Sequence, residues 1–302
     1  MPMYELLDKE QTLDAPVLVA ALEGWVDAGA AGTAAVDQLA EEARLVATFD
    51  SDAIYDYRAR RPTLDIVDGR PMHLGWAELR LSAIRVDDRD LLILRGPEPD
   101  YRWKELSADI VELARRLGVV SWVSLGAIPA AVPHTRPVPI LATASASAAG
   151  LLPDGIRQGP DGMLRVPAAA LSVLELAAGA AGIPAVGFFA QVPHYINGTY
   201  PTAALALLTA LGKFLGTELP VGALATQALE RRSLLDAAAA ADEDTKAHVE
   251  RLELLADQSR LPEGDELIAE IERFLREGDG DEGGEGGEGP GGGSGSREPR
   301  IH

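Results

Sequence analysis

The chain has 302 residues, 47% of them hydrophobic and 5% aromatic, enough apolar material for one large α/β domain or two smaller ones. It contains no cysteine, which excludes disulfides, thiolate nucleophiles and zinc-thiolate sites. The formal net charge of −20 excludes a general affinity for nucleic-acid backbones, which need a concentrated basic face. From Glu230 onward 20 acidic residues oppose 9 basic ones, so the acidity gathers toward the carboxyl end, as a solubilising segment or a surface for a basic partner. Met1 to Leu13 lacks the basic-then-apolar order of a signal peptide, and no apolar run is long enough to span a bilayer. The expectation is a cytoplasmic protein with no membrane and no nucleic-acid partner.

In chain order, Pro16 to Leu22 predicts a buried strand and the Ala-rich stretch Ala28 to Ala43 a helix behind it. Asp27 stands where it can cap that helix, and Gly24 and Gly29 permit a tight turn. Short strands are predicted at Leu45 to Phe49, Ala53 to Tyr57, Leu64 to Val67, Leu79 to Val86 and Asp90 to Leu94, as antiparallel or mixed sheet. The spacing Leu106, Ile110, Leu113, Leu117 predicts a helix over Lys104 to Leu117, ended by Gly118 and followed by a strand at Val119 to Leu125. A proline-rich loop, Gly126 to Pro139, comes next. A helix near Pro167 to Ala181, a strand near Pro184 to Ala190, a loop from His194 to Tyr200 and a helix from Pro201 to Leu215 follow, with Pro201 suited to a first helical turn.

After Pro220 the composition turns to charged helices, roughly Ala223 to Gln258 and Asp265 to Arg276. The second carries an apolar stripe of Leu267, Ile268, Ile271, Phe274 and Leu275. From Gly278 the residues are mostly Gly, Glu and Asp, the composition of a disordered tail. The expected organisation is an α/β core over residues 1–220, a helical extension over 221–277 and an acidic Gly-rich tail over 278–302.

The tripeptide Val-Pro-His occurs at Val132 to His134 and again at Val192 to His194, each time after a predicted buried strand. If those strands are parallel neighbours, both histidines sit at the carboxyl edge of the sheet, where ligands bind in open α/β folds. The candidate site therefore comprises Glu23, Trp25, Asp27, His134, Thr135, Arg136, His194, Tyr195 and Asn197, all at predicted strand-to-helix junctions. His134 and His194 are the candidate catalytic acid and base, Arg136 an anion holder, and Glu23 or Asp27 an orienting carboxylate. The alternative is that the histidines cap loops through backbone hydrogen bonds. No metal-ligand spacing, Gly-x-Ser-x-Gly elbow, Rossmann turn or Walker turn is present, so no cofactor and no reaction is indicated. Ser124 and Thr135 are weak hydroxyl candidates beside His134, and Trp25, Trp76, Tyr101 and Trp103 are either core residues or interface anchors. Asn197-Gly198-Thr199 reads as a turn.

Taken together, Glu23-Gly24-Trp25-Val26-Asp27-Ala28-Gly29, Val132-Pro133-His134-Thr135-Arg136-Pro137 and Val192-Pro193-His194-Tyr195, followed by Tyr200-Pro201, resemble the bacterial branch of the proteasome assembly chaperone 2 family. The resemblance covers about Val17 to Leu215. It implies a three-layer α/β core with a mixed sheet, similar to nucleoside phosphorylases and peptidyl hydrolases, and a tendency to form homo-oligomers. It implies a non-catalytic, protein-binding role, with a proteasome subunit as partner by analogy with the eukaryotic members. The ending Glu298-Pro299-Arg300-Ile301-His302 departs from their short carboxyl-terminal anchor. The polar cluster supplies the competing expectation of a hydrolase, phosphorylase or ligase acting on a small polar or anionic metabolite at His134 and His194.

Overall fold

A computed structural model describes residues 2–7, 12–159 and 162–258. The first half contains β1 (Tyr4–Leu6), β2 (Val17–Glu23), α1 (Ala31–Ala40), β3 (Arg44–Phe49), α2 (Ser51–Ile54), β4 (Thr63–Val67), β5 (Arg70–Gly75), β6 (Arg80–Val86) and β7 (Arg89–Pro97). The second contains α3 (Trp103–Arg116), β8 (Ser121–Ala130), β9 (Ile140–Ala144), β10 (Arg157–Gln158), α4 (Ala170–Ala180), β11 (Ala185–Pro193), α5 (Pro201–Leu215), α6 (Leu224–Ala241) and α7 (Glu243–Gln258).

Nine strands form one mixed sheet in the order β1-β3-β6-β7-β2-β8-β11-β9-β10. Its centre, β7-β2-β8-β11, is parallel, and β1, β3 and β6 extend it antiparallel on one side. The central strands are apolar on both faces, as covered parallel strands must be. One face packs Val17, Val19, Val123, Leu125 and Phe188 against α1 and α5; the other packs Leu18, Ala20, Leu92 and Trp122 against α3 and α4. The result is the three-layer α/β core that the resemblance implies.

Register fixes the carboxyl edge. β8 and β11 pair in parallel from Ala185↔Trp122 to Pro193↔Ala130, so the two Val-Pro-His loops leave adjacent strands at one level. The predicted strand at Val119 to Leu125 therefore runs longer than expected, to Ala130, because its ladder with β11 continues into what reads as proline-rich loop. A second correction concerns Ala53 to Tyr57. Residues 51–54 form a helical turn, closed by the Tyr55 N–H donating to the Ser51 carbonyl at 3.0 Å, a bond between residues four apart that a strand does not make. The single helix expected over Ala223 to Gln258 breaks at Asp242, which is extended and accepts a 2.9 Å bond from Thr245 N–H as an N-cap of α7. The predicted helix at Asp265 to Arg276 and the Gly-rich tail lie outside the described residues. α6 and most of α7 belong to the compact unit of residues 1–256, where Leu224 and Ala228 of α6 are buried.

Between β2 and α1 the chain turns sharply at Gly29 (φ 66°) and Ala30 (φ 51°). A Cβ on Gly29 would stand 2.8 Å from Cβ of buried Tyr200, whose N–H donates to the Gly29 carbonyl at 2.8 Å. Left-handed backbone and close approach both require glycine here. Gly29→Ala is expected to lower unfolding free energy by about 2 kcal/mol or more in urea titration. A loss under about 0.5 kcal/mol, the range of an uninvolved surface position, would contradict this packing.

Candidate functional site

The His134 ring is buried, with the residue 2% exposed, yet each of its nitrogens has a partner. The Tyr195 hydroxyl oxygen lies 2.8 Å from the His134 backbone nitrogen and 2.7 Å from Nδ1. It accepts the backbone N–H and donates its own proton to Nδ1, which assigns the neutral Nε2–H tautomer. Nε2–H then points at Asp236 Oδ1, 3.2 Å away on α6. Burial foremost, and the Arg232 guanidinium next, hold the His134 pKa below the ordinary imidazole value against the opposing pull of Asp236. Burial likewise raises the Tyr195 hydroxyl.

The two carboxyl-terminal helices fasten both loops. Arg232 of α6 grips Asp236 through Nε at 2.8 and 2.9 Å and donates from Nη1 to the His134 carbonyl at 2.7 Å. Its neighbour Arg231 donates to the Asn197 carbonyl at 2.5 Å. Glu253 of α7 accepts from the Thr135 hydroxyl and, at 3.2 Å, from Arg136. His248 of α7 meets the rings of His194 and Tyr195 edge-on at 5.4 and 5.8 Å, while its Nδ1 lies 3.0 Å from Arg251 Nη2.

Of the nominated residues, His134, Thr135, Arg136, His194 and Tyr195 therefore converge, with both histidine rings packed edge-on to Tyr195. His194 is exposed and sets Nδ1 3.1 Å from the Ala130 carbonyl, a loop-capping bond. Asn197 joins through its backbone alone among the bonds described. Asp27 stays with its own helix, where it accepts Gly32 N–H at 2.7 Å and the Thr33 hydroxyl and so caps α1. Burial raises its pKa, against the pull of those bonds. Glu23 is exposed at the end of β2 and lines a cleft of about 290 Å³ with Trp76 and Arg95. Trp25 is 67% exposed, and its backbone N–H donates to Glu98, which also caps α4 at Ala170 N–H. Among the described residues no group of three or more His, Asp or Glu could hold a metal ion. No helix among them is long and apolar enough to cross a membrane.

A family model described as PAC2 family matches residues 21–239, a span that takes in both Val-Pro-His loops and nearly all of α6. The chain belongs to the PAC2 family. Among solved structures, this PAC2 protein is similar to an unknown-function protein from Mycobacterium tuberculosis at 35% identity and a TM-score of 0.78, over 91% of this chain and 92% of that one. It is also similar to an unknown-function protein from Corynebacterium glutamicum at 31% identity and a TM-score of 0.78, over 85% and 98%. A third, titled a proteasome-assembly chaperone homologue from M. tuberculosis, is 36% identical with a TM-score of 0.69, over 77% and 99%. No curated protein matches the chain.

Sequence reasoning missed the partners contributed by α6 and α7: Arg231, Arg232, Asp236, His248 and Glu253. A signal exists in the spacing. Leu224 and Ala228 are the buried residues of α6, and Arg232 and Asp236 continue the same i, i+4 row. In α7, His248 and Glu253 flank the buried Val249 and Leu252.

Because His134 is held neutral, the unfolded chain binds its proton first as pH falls. Its contribution to stability is complete above the ordinary histidine pKa and is lost as pH falls through that value toward the lower folded one. The raised Asp27 and Glu175 carboxyls act in the opposite sense, losing stability as pH rises above the ordinary carboxylate range. Comparison with His134→Gln cancels their effect. We expect the wild-type advantage, about 1–3 kcal/mol at pH 8, to shrink between pH 7 and pH 5.5 in paired urea titrations. An advantage that grows on acidification would show that the folded protein holds His134 charged.

Proposed function

We propose that this PAC2 protein acts by protein-protein contact, as a non-catalytic, assembly-chaperone-like homo-oligomer of the cytoplasm, with a proteasome subunit as its partner class. The observation that carries this reading is the closure of His134. Its ring nitrogens are taken by Tyr195 and Asp236, and two helices lie over the loops. A general acid or base needs hydrogen-bond reach to its substrate, whereas here the imidazole fastens the carboxyl-terminal helices to the sheet edge. A hydrolase, phosphorylase or ligase acting through His134 and His194 would first have to part α6 from that loop.

The same edge turns large aromatic side chains outward. Trp25 and Tyr101 are 67% and 49% exposed, and exposed aromatics of this kind anchor protein interfaces. One structural relative is titled a proteasome-assembly chaperone homologue, which lends the proposal its partner class. With the purified full chain immobilised and proteasome α-subunits from the same host in solution, Trp25→Ala is expected to weaken capture by about tenfold or more. His134→Gln, assayed below its melting temperature, should leave capture within about twofold of wild type. Loss of capture in a folded His134→Gln protein, with Trp25→Ala unaffected, would overturn the assignment.

A further inference from the structure

Three strands and one helix place a carboxyl where the candidate cluster makes no use of it. Thr143 of β9 pairs with Gly187 of β11, and Gly187 pairs with Ser124 of β8. Lateral neighbours share a face of a sheet, so this row presents hydroxyl, glycine and hydroxyl toward α4. Glu175 of α4 fills the gap over the glycine. A Cβ on Gly187 would stand 2.6 Å from Glu175 Oε2 and 2.5 Å from Thr143 Oγ1, so any other residue there would push the carboxyl away. The Thr143 hydroxyl donates to Glu175 Oε1 at 2.6 Å. The buried Ser124 hydroxyl, which accepts the Trp122 indole N–H at 2.9 Å, acts on the same carboxyl and with Thr143 favours its ionised form.

The hydroxyls are set for a carboxylate, yet its charge has no counterpart. Glu175 Oε2 is buried without a hydrogen-bond partner, and among the described residues no Lys, Arg or His lines the surrounding wall. Burial outweighs the two hydroxyls and holds the Glu175 pKa above the ordinary carboxylate value. A pocket of about 480 Å³ opens beside the carboxyl, walled by Leu176 and Phe189 and edged by the Ser145 and Ser172 hydroxyls. That is the size of a small-molecule site. Because Oε2 is closed off, a ligand in the pocket meets the carboxyl at Oε1, next to the exposed Thr143. The walls suit an apolar body and the carboxyl suits one cation. An ammonium at Oε1 makes a charge-assisted bond and offsets the desolvation of the lone carboxylate, which a neutral or anionic head group cannot do.

We infer that this pocket binds a small primary amine, with its ammonium on Glu175 and its apolar body against Leu176 and Phe189. None of the residues nominated for the candidate site lines it, so the inference stands apart from the proposed function. The test is a ligand-observed NMR titration of the folded full chain at pH 7.5 with three probes of one shape: pentylamine, pentanol and pentanoate. Pentylamine is expected to saturate a site at millimolar concentration and to bind about tenfold tighter than either control. Glu175→Gln keeps the shape and removes the charge, and should bring pentylamine down about tenfold, to the level of pentanol. Leu176→Arg sets a like charge at the mouth, at a position 74% exposed where the fold tolerates it, and should weaken pentylamine by about threefold. No saturable pentylamine binding by wild type, binding no tighter than that of pentanol, or tighter binding of pentanoate would each overturn the inference without recourse to a variant. A pentylamine affinity unchanged in Glu175→Gln would also overturn it, as would one unchanged in Leu176→Arg should Glu175→Gln fail to fold.

Discussion

Everything at the candidate site depends on the parallel ladder between β8 and β11. Nine consecutive residue pairs hold the two strands in register, from Trp122 and Ala185 to Ala130 and Pro193. That register brings the two Val-Pro-His loops to one height, so that Tyr195 of one loop reaches both the backbone and the ring of His134 in the other. A one-residue slip would turn Phe188 and Val186 from the α1–α5 face to the opposite one. Fold and site are therefore selected by the same apolar pattern.

The site is best understood as a fastening. A buried imidazole left unpartnered costs stability, so the Tyr195 hydroxyl and Asp236 carboxylate are required by the burial itself. Arg232 serves twice, orienting Asp236 and binding the carbonyl of His134. Glu253 does the same work for Thr135 and Arg136 from α7. Polar residues that look like a catalytic set in the sequence thus join loops to helices. At the same sheet edge Trp25 and Tyr101 stay exposed, outside this polar fastening.

The parallel core was legible because continuous apolar runs, Ala-rich helices and Pro201 at a helix start are local signals; α5 runs from Pro201 to Leu215 as its spacing indicates. The convergence of His134, His194 and Tyr195 was legible because the repeated tripeptide follows two buried strands. The strand β5 was not, although Asp68-Gly69 announces a tight turn, because Arg70 to Gly75 lacks the β-branched residues and clean alternation that mark a strand. Nor were Asp236 and Glu253 legible as site residues. They lie 102 and 118 positions from His134 and Thr135, and a charged residue on a charged helix carries no sign of which face it will present. Asp27 and Glu23, close in sequence, part in space because one turns inward to cap α1 and the other ends a strand at the surface.

The closure of His134 is the claim on which the functional reading stands, and chemical modification of histidine addresses it directly. The folded full chain, treated briefly with diethyl pyrocarbonate and mapped by peptide mass spectrometry, should carry the adduct on exposed His194 while His134 stays unmodified until the protein unfolds. Modification of His134 at the rate of His194 in the folded protein would show an open imidazole and contradict the account.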